Sequence, residues 1–296
     1  MYNEITSNKR NSVILMTLFI AVVIGIGYVF SLANGDTTYS GVWIAVILSL
    51  GMTSISYFQG DKIALAVSGA RPITTEENKY VYRLVENLCI TAGQPVPKIY
   101  IIEDSAINAF ATGRKPELAS IALTTGVIAK LANEELEGVI AHELSHIKNY
   151  DIRFMMLVAV MVGAIAILSD IFIRSRIFGG RRGGDREGGN LGGILMIVGI
   201  VLAILSPIIA ELIKLAISRQ REYLADASGS LLTRYPAGLA NALEKIARDA
   251  QPMQRASSAT AHLYISSPFG SGKKFASLFS THPPVEERIR RLRAMA

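Results

Sequence analysis

Residues 13–33, VILMTLFIAVVIGIGYVFSLA, are an uncharged apolar run about as long as a helix needs to cross hydrocarbon, and a second apolar run extends from Val42 to Phe58. The pattern predicts a membrane hairpin over residues 1–60, its two spans at 13–33 and 42–58 joined by NGDTTYSG. A cleaved leader would show a shorter apolar core followed by polar sequence, whereas here a second span follows almost at once. Lys9 and Arg10 precede the first run and Lys62 and Arg71 follow the second, while the connector has neither residue type. The positive-inside rule therefore places the N-terminus and the chain after Asp61 in the cytoplasm.

From residue 61 to 150 the pattern becomes that of a globular unit. Thr74 and Glu77 are spaced as a capping box, and Val81, Leu84, Val85, Leu88 and Cys89 recur at helical spacing until Gly93. Three short β-prone segments follow, KIYIIE from Lys98, INAFAT from Ile107 and ASIALTT from Ala119, and predict a small antiparallel meander. Asn133 is read as the cap of the next helix, with Glu134 and Glu135 favoured by the dipole at its start. Leu136, Val139, Ile140, Leu144 and Ile147 give that helix one apolar stripe.

Composition agrees with a bilayer-embedded chain: of 296 residues, 50% are hydrophobic and only 18% charged. The net charge of +6 fits cations flanking membrane spans, and no basic patch interleaved with aromatics points to nucleic acid. A lone cysteine, Cys89, excludes an intramolecular disulfide framework and fits a catalytic portion in the reducing cytosol.

The candidate chemistry lies in AHELSH, where His142 and His146 share a helix face because residues four apart differ by only about 40° around the axis. Two imidazoles so placed can hold one zinc ion, and Glu143 stands beside the first of them as a general base for water. Two imidazoles and a carboxylate also suit cobalt or manganese, but zinc is the expected ion, one per chain. In SRQREYLADASG, Glu222 is a candidate third ligand, and Asp226, one turn later, a candidate acceptor for the free ring nitrogen of a ligand histidine. The competing reading makes both a solvated helix face. A noncatalytic membrane scaffold with a structural metal is the main alternative to an enzyme, but such a site is usually closed by four protein ligands and has no use for Glu143. A transporter fits less well, because the first two apolar runs contain no ionisable residue.

With AHELSH, EYLAD, the NAFATG around Asn108 and the STHPP around His282, in that order, the chain resembles the HtpX-type membrane proteases, bacterial relatives of the CaaX prenyl endopeptidases. The likeness runs from the first span to HPPVEERIRRL at the C-terminus. It implies a zinc metalloendopeptidase of the cytoplasmic membrane, its site facing the cytosol, that removes damaged or misassembled membrane proteins and cooperates with other membrane quality-control proteases. It carries over His142, His146 and Glu222 as ligands and Glu143 as base. It also suggests that NAFATG is an edge strand pairing with extended substrate, with Asn108 near the cleft and Phe110 in the core. His282 can donate to the developing oxyanion or serve a structural, capping role; His262 is read as structural.

A third and a fourth apolar run, Phe154 to Ile173 and Leu191 to Ile209, separate the two zinc motifs. His142 and Glu222 must lie on one side of the membrane, so the chain between them crosses twice or not at all. Each run is long enough to cross, which favours a second hairpin over 151–210, although two crossings place Arg174, Arg176, Arg181, Arg182 and Arg186 outside, against the positive-inside tendency. Residues 211–296 complete the protease domain, with a helix near Ala237 to Asp249, a loop beside the site from Gln251 to Lys274 and a basic helix from Val285. The expected whole is a mostly α integral membrane protein of about four transmembrane helices, carrying a zincin-like α+β domain.

Overall fold

The computed structural model describes residues 2–33, 35–163, 165, 218–249, 251–270 and 283–295. Helix α1 (Tyr2–Ala33) and helix α2 (Ser40–Val67) form the expected hairpin, and both are long and apolar enough to cross a membrane. Their packing supports that reading. The buried positions of α2 include Gly41, Ala45, Ser49, Ser56, Gly60 and Ala64, a row of small residues that lets backbones approach; a Cβ on Gly27 of α1 would collide with Gly41 and Ala45. The large side chains face outward instead, with Trp43 67% and Ile47 71% exposed, the reverse of a helix that buries its apolar stripe in a water-soluble core. The protein is a membrane protein.

A two-residue strand β1 (Arg71–Pro72) leads to α3 (Lys79–Ala92). This helix starts later than Thr74 and Glu77 predicted. Glu77 does accept the Thr74 N–H at 2.7 Å, but Asn78 is the cap, accepting the Val81 N–H at 3.0 Å, and Gly93 ends the helix in the left-handed conformation.

Strands β2 (Lys98–Ile102), β3 (Ala109–Thr112) and β4 (Ser120–Thr124) join β1 in a sheet of order β1-β2-β4-β3. The expected meander is corrected to a mixed sheet: β4 lies between its predecessors, parallel to β2 and antiparallel to β3. The reason lies in the β2–β3 connection. Asp104 N–H donates to Thr125 Oγ1, and Thr124 Oγ1 donates to the Ala106 and Asn108 carbonyls, so the chain is pinned across the end of β4 before β3 begins on its far side. β3 is thereby an edge strand.

After a short helix α4 (Thr125–Lys130) comes α5 (Asn133–Lys148), which carries both histidines. Asn133 is not its cap; the Asn133 side chain engages Glu137 and Tyr80, while Glu135 reaches back to the Ala132 N–H at 2.7 Å. Leu136, Val139, Ile140, Leu144 and Ile147 are all fully buried, as their stripe predicted. Residues 151–163 form a further helix, α6, buried against α1. The second hairpin past residue 165, with its Gly- and Arg-rich connector, lies outside the described residues.

Helices α7 (Arg219–Thr233) and α8 (Pro236–Asp249) pack against α5, and α9 (Val285–Arg293) packs on α8 and α7. Glycines permit these close approaches. A Cβ on Gly138 would stand 2.7 Å from the Leu239 nitrogen, and one on Gly229 would stand 3.0 Å from the His142 nitrogen, so α8 and α7 lie nearly backbone to backbone against α5.

Candidate metal centre

Spacing of four on α5 brings His142 Nε2 and His146 Nε2 to 3.2 Å from each other. Glu222, on the first turn of α7, sets Oε2 3.8 Å from His142 Nε2 and Oε1 3.5 Å from His146 Nε2. All three side chains are buried, and their ligand atoms lie within 4.8 Å of one another.

Each imidazole is oriented from behind. His142 Nδ1 lies 3.0 Å from Asp226 Oδ1, and His146 Nδ1 lies 3.0 Å from Asp151 Oδ2. An ionised carboxylate only accepts, so each Nδ1 carries a proton, which makes each Nε2 the ring atom that would give its lone pair to a metal. Burial by itself would lower the pKa of His146, but the Asp151 hydrogen bond and the Glu222, Asp151 and Glu143 carboxylates outweigh it and raise the pKa to about 9. Two nitrogens sharing a tetrahedral metal at ~2.05 Å stand about 3.3 Å apart, so the pair is spaced as one ion requires. The donor set of two imidazoles and one carboxylate fits a divalent metal.

Asp226 shares Glu222's face of α7, one turn on, and is anchored in turn. Arg288 of α9 donates from Nε and Nη2 to the two Asp226 oxygens at 2.8 and 2.6 Å, and its Nη1 stands 3.5 Å from Glu222 Oε2. Burial alone would raise the Asp226 pKa; Arg288 overrides that and holds the carboxyl well below the usual range. Arg288 is 2% exposed, a buried charge tolerated because it is paired in bidentate geometry.

Glu143 is 2% exposed and faces β3, where the Ala111 backbone gives it a hydrogen bond. Desolvation is the dominant influence and raises its pKa, partly offset by the two histidines. It is therefore a stronger base than a surface glutamate.

Of the residues singled out by sequence, His142, Glu143, His146, Glu222 and Asp226 come together. Asn108 is buried and turned to the segment 251–270: its Nδ2 donates to the Ser266 carbonyl at 3.1 Å, and its Oδ1 accepts the Ala109 N–H at 3.0 Å. Ile265 N–H donates to the Ala109 carbonyl at 2.9 Å, so this segment occupies part of the free edge of β3. Phe110 is fully buried, edge-on to Tyr264. His262 is a core residue whose Nε2–H donates to the Met155 carbonyl at 3.0 Å. His282 lies outside the described residues.

Sequence reasoning missed Asp151, Arg288 and Asn8. Asp151 follows the end of α5, past Tyr150 in the left-handed conformation, and periodicity gave no reason to turn it back onto His146. Arg288 did leave a signal, because Val285, Arg288 and Leu292 fall on one face of a short helix, which puts a cation on an apolar stripe.

A model of peptidase family M48 matches residues 75–296. A protein described as "Protease HtpX homolog" from Tropheryma whipplei (strain Twist) is 45% identical over 296 residues, covering 100% of this chain and 98% of that protein. Another so described, from Dictyoglomus turgidum (strain DSM 6724 / Z-1310), is 47% identical over 296 residues, covering 99% and 94%. Among solved structures, the crystal structure of S. mikatae Ste24p aligns with a TM-score of 0.49 and 21% identity, over 99% of this chain and 67% of that one.

Proposed function

The chain belongs to peptidase family M48 and is a membrane metalloprotease acting on polypeptides, and from that premise we propose that it is a zinc-dependent endopeptidase of the cytoplasmic membrane serving quality control of membrane proteins. The observation that carries the zinc reading is the pair of Nε2 atoms 3.2 Å apart with Glu222 beside both and Glu143 adjoining.

His142, His146 and Glu222 would hold the zinc ion, which when bound would supply Lewis acidity for the scissile carbonyl and lower the pKa of water. Glu143 does the proton work. It takes a proton from the attacking water as the new C–O bond forms, then passes that proton to the amine nitrogen as the C–N bond breaks. Its raised pKa suits both halves of the task, since the carboxylate is basic enough to accept and the acid persists long enough to donate. Asp151 and Asp226 keep the ligand lone pairs aimed, and Arg288 keeps Asp226 ionised. No residue forms a covalent bond to substrate.

The catalytic centre is read as cytosolic. The hydrogen bond from Asn8 to Asp151 supports this, because it ties the N-terminal end of α1, with Lys9 and Arg10 beside it, to the side that holds the histidines. Two further crossings within 151–210 join the halves of the protease domain, and α6 packed on α1 agrees with the first of them. Because Ile265 already takes the Ala109 carbonyl, extended substrate is read as adding to the part of the β3 edge beyond that contact, with His282 donating to the oxyanion.

The test is cleavage of unfolded casein by detergent-purified protein after chelation, with and without zinc. Zinc restores cleavage in wild type and not in Glu143→Gln, which binds zinc but loses at least about 10²-fold in rate. Proteolysis retained by that variant sinks the mechanism.

A further inference from the structure

Three cations and three aromatic rings from separate parts of the chain alternate in one ladder. Arg114, in the β3–β4 connection, places its guanidinium 4.9 Å from the Phe58 ring centre and 5.6 Å from that of Tyr57. Arg153 on α6 lies 5.9 Å from Tyr57 and 5.0 Å from Tyr150, and Lys9 on α1 lies 4.3 Å from Tyr150. The two arginines are tied together, Arg153 Nε donating to the Arg114 carbonyl at 2.6 Å. None of the three cations has a carboxylate partner among the described residues.

Their level on the helices matters. Lys9 precedes the first apolar run by about one turn, and Phe58, 56% exposed, ends the second. Both ends of the ladder therefore sit where the hairpin leaves hydrocarbon, at headgroup depth, where aromatic rings and long cationic side chains are favoured. The rings hold the guanidinium groups in place, and a guanidinium offers several N–H groups to an oxyanion, which suits phosphate. A zwitterionic choline headgroup is a poor competitor, because its cation needs aromatic faces that Arg114, Arg153 and Lys9 already cover.

We propose that this ladder binds the phosphate of an anionic phospholipid from the leaflet bordering the catalytic domain. The inference goes beyond proteolysis and rests on α1 and α2 lying in a bilayer. Bound lipid seats the protease domain on the membrane surface, and the ladder passes through Tyr150, between Asn149 and Asp151, so lipid contact reaches the residue that orients His146.

The experiment is native mass spectrometry of the full chain in detergent, titrated with phosphatidylglycerol, phosphatidylcholine or inorganic phosphate. Phosphatidylglycerol is retained in preference to phosphatidylcholine, and retention falls roughly fivefold per cation removed in Lys9→Gln and in Arg114→Gln with Arg153→Gln. Arg83→Gln, exposed on α3, leaves it unchanged. Lys9→Gln, at an exposed position, keeps the test decisive if the double variant fails to fold. Equal retention of both lipids, undiminished phosphatidylglycerol binding by the variants, or equal occupancy by inorganic phosphate overturns the proposal. Resistance of the chain to carbonate extraction from membranes tests the bilayer reading separately.

Discussion

Asn8 donates a 2.6 Å hydrogen bond from Nδ2 to Asp151 Oδ1, joining the first membrane helix to the carboxylate that orients His146. The same amide donates to the Asn149 carbonyl at 2.9 Å, so Asn8 holds both sides of the turn at Tyr150. The hairpin is thus part of the support of the metal centre as well as its anchor.

Asp151→Asn lowers zinc affinity about 10- to 100-fold, because it loses the charge that favours the ligand tautomer of His146. Asn8→Ala weakens binding less, since Asp151 stays in place but is less firmly aimed. Competition against a chromogenic chelator measures both, and equal affinity in wild type and Asp151→Asn contradicts the assigned role.

Arg288→Met strands Asp226 as a buried charge beside Glu222 and costs about 3–5 kcal/mol of stability. Adding Asp226→Asn recovers part of that loss, because the uncompensated charge is gone. Denaturation of the purified variants in detergent reads the pair; additive losses would show that the two residues do not depend on each other.

Gly138→Ala pushes a methyl group against the backbone of Leu239 and destabilises by about 1–3 kcal/mol, despite the better helix propensity of alanine. Leu239→Ala does not rescue it, since the nearest atoms belong to the main chain. A melting temperature at or above that of wild type would show that α8 can yield at no cost.

His262 supplies a pH dependence. Burial is the main cause of its pKa of about 4, opposed by the hydrogen bond to Met155. The folded pKa lies below the unfolded value of about 6.5, so protonation favours unfolding. Its contribution is intact above pH ~6.5 and declines as pH falls toward ~4, by roughly 3 kcal/mol in all. His262→Gln keeps an N–H for the Met155 carbonyl and flattens the acid side of the stability profile; an unchanged profile assigns acid sensitivity elsewhere.

Much of the site was readable because its parts are local in sequence. A spacing of four puts His142 beside His146, and Glu222 beside Asp226, on any α-helix. The apolar stripe of α5 likewise needs only helical periodicity to be assigned to the interior. The meander failed for the opposite reason: whether β3 pairs with β2 or lies beyond β4 depends on hydrogen bonds made by Asp104, Thr124 and Thr125 in the connections, and strand propensity is blind to them.

The sequence by itself pointed to the apolar hairpin, the helix with paired histidines and the candidate ligands, since each is legible from residue type at a short, regular spacing. Only the tertiary structure decided what holds those candidate ligands: Asp151 with Asn8, Asp226 with Arg288, and Gly138 and Gly229 at close contacts between helices. These partners lie 143 residues apart for Asn8 and Asp151 and 62 for Asp226 and Arg288. Periodicity and propensity reach only one or two helical turns, whereas the orientation of a buried imidazole is set by whichever charges the packed chain brings behind it.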